Sequence, residues 1–420
     1  MKQPRHRAGS RLPLMLVISG LQFLHAQDAR PAQPQAQLPP ATTAAPEADP
    51  FAGLDLAPSA APTTGPQHSW LWRLLHDDLA LREEIMSEFT TDAEGSNASR
   101  QSVGFEVLKK FSTATSTIAS FDFQGRFVRR DGYNPVPNDM EGATRPGWAF
   151  EYYNFYLDLY NIANPALSDR ARSRNVGRFN FRVGHFYVPF GLNLQTDTHA
   201  TLLQLSNGDN FGFDMDWYAG FWGAINRHLN YDVYYMAGSG DDLAFRGQHG
   251  LAAARLSLSN QYSSKYGLEG GISAITGERL WQPMRVATAA GTAALSERMP
   301  LKTQRVGLDA RYRHTAPRGL LTLTTEWSGG RDARDPVITQ LAQADYLRAS
   351  RRWGVATQYR RFSRDGFGTS EAIIGEFSWY FRNDVAGSNL HWIKLNIERQ
   401  LHYFAAAPAT IVTLQYYLYR

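Results

Sequence analysis

Residues 393–398 read Ile-Lys-Leu-Asn-Ile-Glu. Every second side chain is aliphatic, and every one between is charged or an amide. On an extended chain successive side chains point to opposite sides, so this pattern separates into one apolar and one polar face. The same alternation recurs on both sides of this stretch. Phe121, Phe123 and Phe127 oppose Asp122, Gln124 and Arg126, while Tyr153, Phe155, Leu157 and Leu159 oppose Asn154, Tyr156 and Asp158. Phe179, Phe181 and Val183 oppose Arg178, Asn180 and Arg182. Ile373, Phe377, Trp379 and Phe381 oppose Glu376 and Ser378, and Val412, Leu414, Tyr416 and Leu418 oppose Thr413, Gln415 and Tyr417.

All such runs together predict strands near 83–90, 101–111, 115–130, 147–162, 176–190, 215–226, 229–238, 249–259, 264–276, 302–314, 318–328, 339–349, 352–363, 370–382, 389–401 and 409–419. That makes about sixteen, with twelve to eighteen compatible with the pattern; bacterial single-chain membrane barrels have even numbers. Very short gaps at 112–114, 227–228, 260–263, 315–317 and 350–351 alternate with longer ones at 131–146, 191–214, 239–248, 277–301 and 329–338. Short turns on one side and long loops on the other are the habit of a transmembrane β-barrel. The connection 163–175 departs from it, being long where a short turn is due. A soluble sandwich also alternates but does not need ions at mid-strand on so many strands. The expected fold class is therefore all-β, a transmembrane antiparallel barrel over residues 83–420.

What precedes the strands reads differently. Lys2, Arg5, Arg7 and Arg11 lead into the apolar run Leu12–Leu24 and then Ala26, the order of a cleaved secretory signal peptide over residues 1–26. Removing its four bases from the 43 leaves 39 basic residues against 39 acidic ones. The balance gives no support to nucleic-acid binding, which needs a cationic surface. Residues 27–68, rich in Ala, Pro, Gln and Thr, read as a disordered linker. Residues 69–82 place Trp70, Leu71, Leu74, Leu75 and Leu79 at helical spacing, so a short amphipathic helix is expected, packed on the barrel rim or plugging it. There is no cysteine, which excludes disulfides, thiolate metal sites and thiol nucleophiles. Aromatic residues reach 13% while mean hydropathy stays at −0.39. Lipid on one face only, with rings gathered at both interfaces, produces that combination.

In lipid the apolar set must face outward, since Arg or Lys at the midplane costs about 2–4 kcal/mol. The polar set then lines a lumen, with Arg126, Arg178, Arg182, Arg311, Arg313, Asp122, Asp158 and Glu376 as pore-lining candidates. The arginines at 178, 182, 311 and 313 either form a basic rung that attracts anions or pair with carboxylates such as Asp158 and Asp309. The connection 191–214 is too long for a plain hairpin and contains Leu202, Leu203, Leu205, Phe211 and Phe213. It is expected to fold inward and narrow the lumen, with Leu202, Leu205 and Phe211 as the constriction, or to pack on other loops or another subunit. No H-E-x-x-H, G-x-S-x-G or P-loop pattern occurs, so no catalytic residue, metal site or cofactor is expected. Asp209, Asp214, Asp216, Asp241 and Asp242 could hold a hard cation but are more simply solvated acids. His185 falls in the outward set.

The segment Arg182-Val-Gly-His-Phe-Tyr-Val-Pro-Phe-Gly191, together with Leu229-Asn-Tyr-Asp-Val-Tyr-Tyr-Met-Ala-Gly-Ser-Gly240, resembles the phosphate-selective porin O/P family. The resemblance covers mainly residues 176–240. It implies a sixteen-stranded diffusion channel in the cell outer membrane, often a homotrimer, taking small polar or anionic solutes. No Lys-rich loop segment matches that family's phosphate-binding residues, so phosphate selectivity is not carried over. The alternatives are a barrel sheath around a partner protein, such as a transmembrane electron conduit, and a barrel-rim enzyme.

Overall fold

The computed structural model describes residues 79–93, 95–112, 117–132, 148–163, 179–192, 202–203, 215–226, 228–239, 250–259, 266–281, 299–366, 368–383, 389–403 and 409–420. They form sixteen strands: β1 (Leu79–Asp92), β2 (Asn97–Ser112), β3 (Thr117–Gly132), β4 (Trp148–Leu159), β5 (Asn180–Tyr187), β6 (Met215–Ala224), β7 (Leu229–Met236), β8 (Leu251–Ser259), β9 (Tyr266–Trp281), β10 (Met299–Ala316), β11 (Gly319–Asp332), β12 (Asp335–Arg348), β13 (Trp353–Arg364), β14 (Gly368–Asn383), β15 (Leu390–Tyr403) and β16 (Thr410–Tyr419). Each pairs with its chain neighbours and β1 pairs antiparallel with β16, so the sheet closes on itself. Closure leaves no row of unpaired N–H and C=O groups, which hydrocarbon would not solvate.

Each run read from the sequence falls on one of these strands, but several ends move. β1 starts at Leu79, so residues 79–82 of the expected helix are strand; 69–78 lie outside the described residues, as do the signal peptide and linker. The expected long connection 329–338 is corrected to the two residues between Asp332 and Asp335. Gly329 and Gly330 carry no side chain to continue the alternation, yet their backbone stays in register opposite Ile338 and Val337. Likewise β9 runs to Trp281 and β10 begins at Met299, so the connection expected at 277–301 shrinks by several residues at its start.

The two faces separate as their chemistry requires. Ile393, Leu395 and Ile397 are exposed on the outside of β15, while Lys394 and Asn396 between them are buried on the inside. On the outside of β2–β6 the rings run from strand to strand: Phe105 beside Phe123, Phe123 edge-on to Phe155, and Phe155 edge-on to Trp217. Cross-strand rings in this contact each add a few tenths of a kcal/mol to about 1 kcal/mol. His185 is the exception on this face. It lies opposite Phe155 and Trp217 in the ladder but is fully buried, its ring 5.5 Å from that of Trp217.

The seam shows how the last residues are used. Backbone N–H groups of Glu83 and Arg420 each donate to the other's carbonyl, at 2.8 and 3.1 Å, and the Arg420 side chain meets Glu83 at 2.8 Å. Tyr419 therefore points inward, where its hydroxyl accepts from Arg82 and donates to Glu106.

Candidate functional site: the barrel lumen

Arg182 shows what the inside of this barrel is made of. β5 places it opposite Asp158 of β4, and its Nε and Nη2 each donate to a carboxylate oxygen at 2.7 Å. The guanidinium also lies over the rings of Tyr156 (4.5 Å), Phe186 (4.8 Å) and Trp222 (5.5 Å). Arginine suits such a slot because its planar fork matches a carboxylate at the edge while its faces stack on rings.

The other inward charges follow the same rule of local pairing. Arg311 donates to Glu269 at 2.8 Å, and Arg313 of the same strand lies 3.7 Å from that carboxylate. Asp309, expected opposite these arginines, instead takes Arg255 at 2.7 Å. Arg126 is 1% exposed and sits between Glu84 and Glu151, at 3.6 and 3.7 Å. Lys394 lies 3.4 Å from Glu376. Asp122 is buried and accepts from Asn154 at 3.4 Å. Arg178 lies outside the described residues. Of the four arginines read as a basic rung, the three described ones therefore sit against carboxylates.

Some inward charges were missed because the strand ends were read short. Asp332 of β11 accepts from Arg305 and lies 3.7 Å from Arg279, while Asp335 of β12 accepts from Arg364 at 2.8 Å. Three of these five residues belong to segments read as loops. Asp216, read as a loop-side cation candidate, is a structural cap: its carboxylate accepts the backbone N–H groups of Trp217, Gly238 and Ser239. Among the described residues no cluster of His, Asp and Glu could hold a metal ion. Asp209, Asp214, Asp241 and Asp242 lie outside them.

After β5 the chain turns into the barrel. Val188, Phe190 and Leu192 are buried, the Gly191 N–H donates to Ser273 of β9 at 3.0 Å, and the Phe190 ring lies against Gly307 of β10. Ser273 and Gly307 are inward positions four and five strands further round. A Cβ on Gly307 would stand 3.1 Å from the ring, so glycine permits this approach. With Phe186, Tyr218, Tyr234, Met236, Leu251 and Ile275, Val188 and Phe190 belong to an apolar cluster inside the barrel. Leu202 is half-buried and Leu203 buried; Leu205 and Phe211 lie outside the described residues.

Gly184, at the start of this turn, has φ +143°, and a Cβ there would come within 2.2 Å of the Phe155 carbonyl oxygen. Gly184→Ala is expected to cost about 1–3 kcal/mol by forcing the β4–β5 ladder apart. A drop in the urea midpoint of the reconstituted barrel checks this; an unchanged midpoint contradicts it.

No protein-family model matches the sequence, and no curated protein matches it. Among solved structures, OprB of Pseudomonas putida at high pH aligns with a TM-score of 0.57 at 10% identity, covering 83% of this chain and 96% of that one. The barrel has the fold of the outer-membrane porins. OmpF of Salmonella typhi, in complex with daunomycin, aligns at TM-score 0.48 and 8% identity over 81% and 97% of the two chains. OpdK of Pseudomonas aeruginosa, with vanillate, aligns at 0.45 and 8% over 82% and 98%. Neither weaker likeness adds to the first, which shows the porin fold in general rather than the phosphate-selective type.

Proposed function

We propose that this porin-like chain is an outer-membrane channel for passive diffusion of small polar solutes, and not an enzyme. The observation that carries the reading is a closed barrel whose outer face is apolar and whose inner face is ionised. The chain's own re-entry at Val188–Leu192 supports a narrowed conduit, with residues 191–214 as the constriction. That re-entry also occupies space that a protein partner would need inside a sheath. Anionic solutes are allowed but not strongly favoured, because the described lumen arginines are neutralised locally. Buried pairs are screened little by salt, so this balance persists across ionic strengths. A homotrimer fits the porin reading.

Planar-bilayer recording tests all of this. The purified chain is expected to give stepwise conductance with a reversal potential close to zero in a KCl gradient. Deleting residues 196–210 is expected to raise the step size about two-fold or more, as removal of a constricting loop should. No conductance from either protein contradicts the channel; equal conductance from both contradicts only the constriction.

A further inference from the structure

Five arginines crowd one stretch of rim, at the end of the barrel where β1 begins and β16 ends. Arg318 sits in the short turn between β10 and β11, and Arg348 ends β12. Arg351 and Arg352 follow in the turn to β13, and Arg382 lies at the end of β14. Backbone hydrogen bonds join these positions into one patch. Ala349 N–H donates to the Arg318 carbonyl at 2.9 Å, Arg351 N–H to Arg348 at 2.7 Å and Tyr380 N–H to Arg352 at 2.9 Å. Arg318, Arg348, Arg352 and Arg382 are exposed, and Arg351 is half-buried. Arg351 has φ +53°, where glycine is the unstrained choice, so the turn holds this cation at some cost to its backbone.

Elsewhere this chain neutralises its arginines. Arg182, Arg255, Arg305, Arg311 and Arg360 meet carboxylates in the lumen, and at the same rim Arg420 takes Glu83. None of the five has a carboxylate partner among the described residues. Asp345, on the strand that Arg348 ends, faces the lumen and accepts from Gln343 at 2.8 and 2.9 Å. Asp384 lies outside the described residues.

The depth of the patch indicates what faces it. Outward aromatic residues fill the turn-side positions of the same strands: Tyr346 of β12, Trp353 of β13, and Trp379 and Phe381 of β14. Trp353 and Trp379 are ladder partners, and the Tyr346 ring lies 5.9 Å from that of Trp353. Such rings mark the headgroup level of a membrane barrel. The Arg348 guanidinium lies over the Trp353 ring at 5.6 Å, so the patch begins within this belt. It cannot stand far off, because a four-residue turn going out and back rises at most about 7 Å.

We propose that the Arg318–Arg348–Arg351–Arg352–Arg382 patch binds the phosphates of anionic glycerophospholipids in the leaflet at this end of the barrel. A guanidinium fork matches two phosphate oxygens, and the arginine stem can lie along rings and acyl chains below the headgroups. Short turns gather at this end and the long connections after β3, β5 and β9 at the other, which makes the leaflet the periplasmic one. Each basic residue beside anionic lipid strengthens the attraction roughly five-fold. The proposal concerns the wall and its lipid, and stands whatever solute the lumen passes.

Native mass spectrometry of the full chain, released from micelles with equal phosphatidylglycerol and phosphatidylcholine, tests it. The parent chain is expected to retain phosphatidylglycerol in preference by about five-fold or more. Arg318→Gln with Arg348→Gln and Arg352→Gln is expected to bring that ratio close to one. Arg331→Gln with Arg334→Gln and Arg361→Gln removes the same charge from exposed positions at the opposite rim and is expected to keep the ratio. Heat-modifiable mobility checks that each variant is folded. A parent chain without the preference overturns the proposal; if it then captures soluble polyglutamate, the patch belongs to an acidic protein instead. An equal fall in the opposite-rim variant also overturns it, because net charge alone would then explain the binding. Should the patch variant fail to fold, the parent chain decides by salt: a preference that added salt does not weaken rules out a contact between exposed charges.

Discussion

Leu395→Arg is expected to remove the folded, membrane-inserted form almost completely, while Thr324→Arg leaves it intact. Leu395 is exposed on the outside near the middle of β15, with Phe377 and Leu414 as its ladder neighbours on β14 and β16. A guanidinium there faces hydrocarbon at about 2–4 kcal/mol, a 30- to 1,000-fold shift against insertion. Thr324 points inward opposite Arg311 and Gln343 and is only half-buried, so an added guanidinium finds water. The choice of inward position matters. Asn154 and Asn396 also point inward, but both are buried, and Asn154 donates to Asp122 and Gln124; Arg at either would overpack a filled wall. The measurement is the heat-modifiable mobility of the barrel after refolding into vesicles. Equal loss at 395 and 324 would mean that the faces are assigned wrongly.

The alternation that places Leu395 outside is a local signal, which is why the barrel could be read from one chain without its structure. A period of two depends only on neighbouring side chains, and Ile393 to Glu398 carries it without interruption. Pairing in the lumen is different in kind. Whether Arg311 meets Asp309 or Glu269 depends on the stagger between β9, β10 and β8, which no single strand encodes. The strand ends were illegible for a related reason. Gly329, Gly330 and the residues around Asp332 stay in the sheet through backbone bonds to β12, and backbone bonding leaves no trace in side-chain type. The carboxylates hidden by that error, Asp332 and Asp335, turn out to neutralise Arg305 and Arg364. The long connection after β5 carried a visible hint, an excess of Leu and Phe, but not where it would go. It reaches Ser273 of β9, and the close approach of Phe190 to β10 is eased by a glycine at 307, neither of which the connection itself encodes.

Asp158→Ala is expected to destabilise the barrel by about 3–5 kcal/mol, because it strands a buried guanidinium. Arg182 is 2% exposed, and Asp158 accepts from both its Nε and its Nη2. The rings of Tyr156, Phe186 and Trp222 stabilise the cation from its faces but cannot replace the carboxylate at its edge. The same rings should welcome an unbranched thioether. Asp158→Ala combined with Arg182→Met is therefore expected to lose less than half as much as Asp158→Ala alone, since removing both charges also removes their desolvation cost and a sulfur packs well against aromatic rings. Urea unfolding from lipid vesicles, followed by tryptophan fluorescence, measures both variants against the parent chain. A double variant as unstable as the single one would show that Asp158 acts through its other surroundings and not through Arg182. If instead the double variant recovers, its bilayer conductance reports what the pair does for solutes. Removing one charge of each sign should leave the reversal potential near zero, whereas a shift toward cation preference would identify Arg182 as a cation the passing ions feel despite its partner.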